Sequence, residues 1–379
     1  VQTAARRRQT PSRWAEGQNK VTTVTANAVR LSQRAARTTE PPISRFLSMV
    51  LEDPSFISLA AGFVDQQSLP AGPVAEVFSQ IFAEAAEGKK SLQYGSTIGY
   101  QDLRQVLARR LEEQGIAAPV DPNHIVVTSG SQQFLFLVTD VLVDPGDIVI
   151  VEDPTYFVYT GVLESAGARV MGVETDDEGI VPAALERRLG EIAAAGLLPR
   201  LKMLYVMTYY QNPKGTSHSW ERRRQIYELI ERFSTPENHV YILEDAAYVD
   251  LRYDGADIPF MKTLDPANER VILALTFSKG FAPGLRLGYA HVPAALVPHV
   301  LNQKGNHDFG SSNLAQHIAH RAMVTGLYDK QIEVLRQRYS AKRDLMVSVI
   351  KSDFPAEVKY IEPRGGLYVW VTLPEGVAT

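Results

Sequence analysis

The strongest constraint on what this chain can fold into is a rhythm. Short β-rich runs at 124–128, 147–152, 169–173, 202–207, 240–243, 271–277 and 287–292 alternate with helical stretches such as 132–142, 160–166, 182–195 and 220–233. Strands separated by helices cannot pair as tight hairpins. The rhythm predicts an α/β fold with a mostly parallel sheet, covered by helices on both faces. Ligands in such sheets bind beyond the carboxyl ends of the strands. The residues just after each run are therefore the candidates for function.

Around this core the periodicity predicts helices over 73–87 and 100–114, a Gly- and Gln-rich loop over 62–70, and helical spacing over 43–51. A long helical stretch over 317–351 and a strand over 366–371 follow. The expected division is a basic flexible arm over 1–30 and an N-terminal segment of a small domain over 31–72. A large domain over 73–303 and a C-terminal small domain over 304–379 complete it. The first 45 residues hold nine Lys and Arg against two acids, a composition that overlaps with an organelle transit peptide. The expected location is nonetheless the cytoplasm.

Composition removes whole classes of chemistry. With no cysteine there is no disulfide, zinc–thiolate site, iron–sulfur cluster or thiol nucleophile. A formal net charge of −4 gives no general bias toward nucleic acid, and no apolar run is long enough for a membrane-spanning helix. His317 and His320 share a helical spacing without a carboxylate to complete a metal set, so no metal is expected.

The strand ends are more informative. Thr128-Ser129-Gly130-Ser131-Gln132-Gln133 opens a helix, and free backbone amides at a helix start suit a phosphate. An ordinary N-cap would use the same residues. Tyr156 follows a turn at Asp153-Pro154-Thr155, either as a ring to stack on a ligand or as plain packing. Asn212 lies in the turn Gln211-Asn212-Pro213-Lys214-Gly215 and offers an amide. Asp245 ends an apolar strand, where a carboxylate needs a partner or serves as a cap. In the stretch from Thr276 to Tyr289, Lys279 sits among hydroxyls and apolar residues, with Arg286 seven positions on. A lysine held against apolar walls loses its proton readily and becomes an amine nucleophile. A phosphate cradle, a ring, an amide, a carboxylate and an amine together suit pyridoxal phosphate.

On these segments the sequence resembles the fold-type I, pyridoxal-phosphate-dependent aminotransferases of class I/II, in their 2-aminoadipate, kynurenine and aromatic branch. The matching segments run in family order. They include Ala60-Ala61-Gly62, Gln93-Tyr94-Gly95, Gly99-Tyr100, Gly130-Ser131-Gln132-Gln133, Asp153-Pro154-Thr155-Tyr156, Asn212-Pro213, Asp245-Ala246-Ala247-Tyr248, Ser278-Lys279 and Pro363-Arg364-Gly365-Gly366. The resemblance implies an aspartate-aminotransferase-like large domain and a smaller α/β domain built from both chain ends.

It also implies roles. Lys279 would hold the cofactor as an aldimine and move the substrate proton, with Asp245 pairing with the ring nitrogen. Asn212 and Tyr248 would bond the ring's phenolic oxygen, and Tyr156 would stack. Ser131, Gln132, Thr276, Ser278 and Arg286 would hold the phosphate. Tyr94 would reach the phosphate of the partner subunit in a homodimer with shared active sites. Gly62 and Asn212 would line the substrate site. The implied reaction is ping-pong transfer from an aromatic, 2-aminoadipate-like or branched L-amino acid to a 2-oxo acid such as 2-oxoglutarate.

Lys214 and Ala247 depart from the usual Thr and Pro. The family's carboxylate-binding arginine lies past the Gly-Gly segment, in a strand expected beyond Thr379. The alternatives are a lyase or decarboxylase on the same fold, and a transcription regulator with an aminotransferase-like domain. With about 30–40 residues ahead of the core, no winged helix is expected there.

Overall fold

A computed structural model describes residues 29–40 and 62–377, with Ser44, Met49, Glu52, Asp53, Ser55 and Leu59 between them. Most of the basic arm and the helical spacing over 43–51 lie outside the described residues.

The strands are β1 (Ile125–Thr128), β2 (Ile148–Asp153), β3 (Arg169–Asp176), β4 (Gly179–Ile180), β5 (Leu201–Val206), β6 (Tyr241–Asp245), β7 (Val271–Thr276), β8 (Gly288–His291), β9 (Lys359–Ile361) and β10 (Trp370–Thr372). Eight form one sheet in the order β1-β8-β7-β6-β5-β2-β3-β4. β7, β6, β5, β2 and β3 run parallel. β8 is antiparallel to both β7 and β1, so β1 points the same way as the parallel set. The alternating rhythm thus produces the expected largely parallel sheet, with β8 reversed inside it and the short β4 reversed at its edge.

Both faces of the sheet are dry. On β2, Val149 and Val151 face one apolar cluster while Ile148 and Ile150 face the other. This is the period of two expected of a pleated strand buried on both sides. The first cluster takes in Phe134 and Leu135 of helix Ser131–Leu142; the second takes in Leu185 and Leu189 of Pro182–Ala194, and Ile226 and Ile230 of Trp220–Phe233. Each such aliphatic side chain contributes about 1.5–3 kcal/mol when fully buried. The sheet edge that carries the site is therefore held by a rigid base.

Three local expectations change. The helix expected over 73–87 is two, Ala71–Ala83 and Ala85–Leu92, because Glu84 between them has extended backbone (ψ 98°). The long stretch over 317–351 is also two helices, Asn313–Val324 and Leu327–Asp353, separated at Gly326 with φ +73°. Glycine adopts that left-handed conformation without steric cost. The strand expected over 366–371 is displaced to β10, because Gly366 has φ +79° and its amide donates to the Leu251 carbonyl at 2.9 Å.

Candidate active site

Sheet register brings the site together. Thr128 of β1 and Thr276 of β7 both pair with Gly288 of β8, which places the ends of three strands in one row. An added Cβ on Gly288 would lie 2.5 Å from the Ser131 amide nitrogen, so only glycine lets helix Ser131–Leu142 start this close to the sheet. The helix opens on Gly130 at φ +82° and has no side-chain cap. Gln133 instead reaches back, and its Oε1 accepts from the Ser129 amide at 2.7 Å. The bond resembles the back-bond of a capping box but reaches one residue before the N-cap. The amides of Ser131 and Gln132 have no acceptor among the described residues.

Arg286 faces this same start. Its guanidinium lies against Gly130, where a Cβ would come within 3.0 Å of Nη2. Among the described residues Arg286 has no carboxylate partner, and only the Pro283 carbonyl is near, at 3.4 Å from Nη1. On the next strand end, Thr276 caps the short helix Phe277–Gly280 by accepting from the Ser278 amide at 3.1 Å. Unpartnered amides, a free guanidinium and two hydroxyls form a cradle suited to a dianionic phosphate.

Lys279 lies in that short helix. Its Nζ donates to the Gly62 carbonyl at 3.1 Å and stands 5.8 Å from the centre of the Tyr248 ring. Burial, with Arg286 nearby, brings the amine down to about 8. Across from it Asp245 ends β6, only 3% exposed. Burial pushes this carboxyl up to about 6, against the opposing pull of the Tyr205 hydroxyl, the Ala247 amide and Lys279. Tyr205 donates to Oδ2 at 2.9 Å and the Ala247 amide to Oδ1 at 3.1 Å. A cationic ring nitrogen set against Asp245 would favour its charged form.

The remaining walls are aromatic and amide groups. Tyr156 donates to Gln132 Oε1 at 3.3 Å, and its phenol is raised by burial and by Asp245. Asn212 is 7% exposed and its amide has no hydrogen-bond partner among the described residues. It is presented by a turn in which Gln211 bonds the Pro154 carbonyl at 2.7 Å, tying the Asn212 and Tyr156 segments together. Tyr248 lies 3.3 Å, hydroxyl to hydroxyl, from Tyr368. Gly62, with φ +57°, sits so close to Tyr368 that a Cβ there would overlap its hydroxyl. Tyr94 stands apart from this cluster: it is 82% exposed and packs edge-on against Phe309.

The donor set fits pyridoxal phosphate. The open cradle would take the phosphate, the buried Asp245 would face a ring nitrogen, and Lys279 offers an amine that is easily made neutral. Sequence reasoning missed Tyr205, whose position inside β5 reads as ordinary strand, and Tyr368, which follows the Gly-Gly pair without a motif of its own. Among the described residues no group of His, Asp and Glu could hold a metal, and no helix is long and apolar enough to cross a membrane.

Residues 54–378 match the family described as "Aminotransferase class I and II". The chain is 33% identical over 339 residues to an aromatic-amino-acid aminotransferase 1 of Thermococcus litoralis, covering 88% of this chain and 78% of that one. It is 29% identical to a 2-aminoadipate transaminase of Thermus thermophilus, covering 88% and 79%. A solved kynurenine aminotransferase of Pyrococcus horikoshii, in complex with pyridoxamine phosphate, superposes with a TM-score of 0.84 at 32% identity, covering 92% of this chain and 83% of that one.

Proposed function

The chain belongs to the class I and II aminotransferases and uses pyridoxal phosphate; from that premise we propose that it moves the amino group of an aromatic, 2-aminoadipate-like or branched L-amino acid to a 2-oxo acid such as 2-oxoglutarate. The transfer runs in two half-reactions, donor first and acceptor second. When bound, the cofactor supplies an electron-accepting ring that stabilises negative charge at the substrate α carbon.

The protein's own residues do the rest. The Lys279 amine, about half neutral near pH 8, takes the proton from the donor Cα. Asp245 holds the ring nitrogen in its charged form, and Tyr205 and the Ala247 amide keep the carboxylate aimed. Tyr156 packs on the ring, and Asn212 and Tyr248 orient it through its phenolic oxygen. Ser131, Gln132, Thr276, Ser278 and Arg286 hold the phosphate. Gly62 and Asn212 line the substrate side. Tyr94, exposed on one protomer, serves the partner's site in a homodimer.

The observation that carries this reading is the opposition of Lys279 and Asp245 at neighbouring strand ends, beside a cradle of unpartnered phosphate donors. Borohydride reduction of the purified enzyme followed by peptide mapping tests it. The tag is expected on Lys279, and a tag on any other lysine of active enzyme overturns the assignment.

A further inference from the structure

Behind the phosphate cradle lies an ion pair with a buried ammonium that the catalytic reading does not use. Lys304 is fully buried in helix Val297–Asp308, and its ammonium donates to both oxygens of Asp308, at 2.7 and 2.9 Å. Asp308 Oδ2 in turn accepts from Gln133 Nε2 at 2.6 Å. Gln133 Nε2 also meets His307 Nδ1 at 3.1 Å. The other end of the same amide, Oε1, accepts from the Ser129 amide at 2.7 Å. The chain Lys304–Asp308–Gln133–Ser129 therefore runs without a gap from a buried ammonium to the backbone that carries Gly130, Ser131 and Gln132.

The geometry of Gln133 makes this more than packing. A glutamine amide has two ends and no intrinsic preference for which way it faces. Asp308 accepts only, so it forces the nitrogen outward and leaves the oxygen to the Ser129 amide. Lys304 fixes the carboxylate in its turn, because a buried ammonium with two bonds to one carboxylate is costly to separate. We infer that Lys304, Asp308 and Gln133 form a positioning relay that sets the phosphate-binding amides of Ser131 and Gln132, and so the affinity for the phosphate group of the cofactor. This rests on the reading of that helix start as the phosphate site.

The relay predicts an effect confined to ligands that carry a phosphate. The full-length enzyme is stripped of cofactor and titrated with pyridoxal 5′-phosphate and, separately, with pyridoxal. Gln133→Leu removes the acceptor for Ser129 without stranding a charge. It should weaken binding of pyridoxal 5′-phosphate by about 5- to 10-fold, the equivalent of one orienting hydrogen bond, and leave pyridoxal binding unchanged. The double variant Lys304→Met with Asp308→Leu removes the pair together, keeps the fold testable, and should reproduce the Gln133→Leu effect. Inorganic phosphate, as a competitor of pyridoxal 5′-phosphate, should lose affinity in step. Unchanged pyridoxal 5′-phosphate binding in folded Gln133→Leu and in the double variant overturns the relay, as does an equal loss for both ligands. Failure of the unmodified protein to bind pyridoxal 5′-phosphate at all would instead overturn the cofactor reading itself.

Discussion

Strand β7 has a lysine at each end, one buried and one half-buried, and the two could hardly be treated more differently. At its start, Lys262 is 1% exposed and fully engaged. Its ammonium donates to Asp265 at 2.9 Å, and to the Asn268 side chain and the Val271 carbonyl at 2.5 Å each. Asp265 also accepts from the amides of Glu269, Arg270 and Val271 at 2.8–3.0 Å; the Lys262 charge first, then the Glu269 and Val271 amides, hold its carboxyl below the usual range against burial. At the other end, Lys279 has one carbonyl contact, and Asp245 spends its oxygens on Tyr205 and Ala247 instead. Burial alone does not make an amine reactive. A charge that is buried and paired is a structural tie, whereas one that is half-buried and left largely unpaired is ready to lose its proton.

The largest effect expected from this contrast is on catalysis. Lys279→Ala should lower the rate by about 10³-fold or more while leaving thermal stability equal or higher, since an incompletely paired half-buried charge is removed. Steady-state kinetics and a melting curve of the same preparation check both halves, and substantial residual turnover would show that another group moves the proton. The converse change comes next. Lys262→Met strands Asp265 and should cost about 3–5 kcal/mol of stability, with the rate per folded molecule preserved; denaturant titration with active-site counting measures it. The smallest effect is in labelling. In cofactor-free protein, acylation of Lys279 should increase as the pH rises through about 8, where the amine becomes neutral, while Lys262 stays unlabelled in the folded state. Mass spectrometry of the peptides reads this directly, and equal labelling of the two would erase the distinction.

Much of this is legible in the sequence, for physical reasons. Strand ends in an α/β sheet are where function collects, so Asp245, Lys279 and the Ser131 helix start could be singled out by position and chemistry. What escaped were partners that act across the fold. Tyr205 looks like any aromatic in a strand until β5 and β6 are paired. Lys304 and Asp308 show helical spacing that suits a surface pair, and only the packing of their helix buries the lysine. The reversal of β8 was equally silent, because a short apolar run carries no mark of its direction. The helix break at Gly326 was a signal overlooked: a lone glycine in a long helical pattern.

That reversal has a bearing on how such a chain can change over time. Because β7 and β8 are adjacent and antiparallel, Lys279 and Arg286 occupy the single connection between them, pinned at both feet by the pairing of Thr276 with Gly288. On the proposed reading, the span between the lysine that would hold the cofactor and the arginine that would hold its phosphate is thus a matter of chain length rather than of distant packing. One residue gained or lost in this connection would change the spacing of Lys279 and Arg286 directly, with no helix or strand elsewhere able to absorb it.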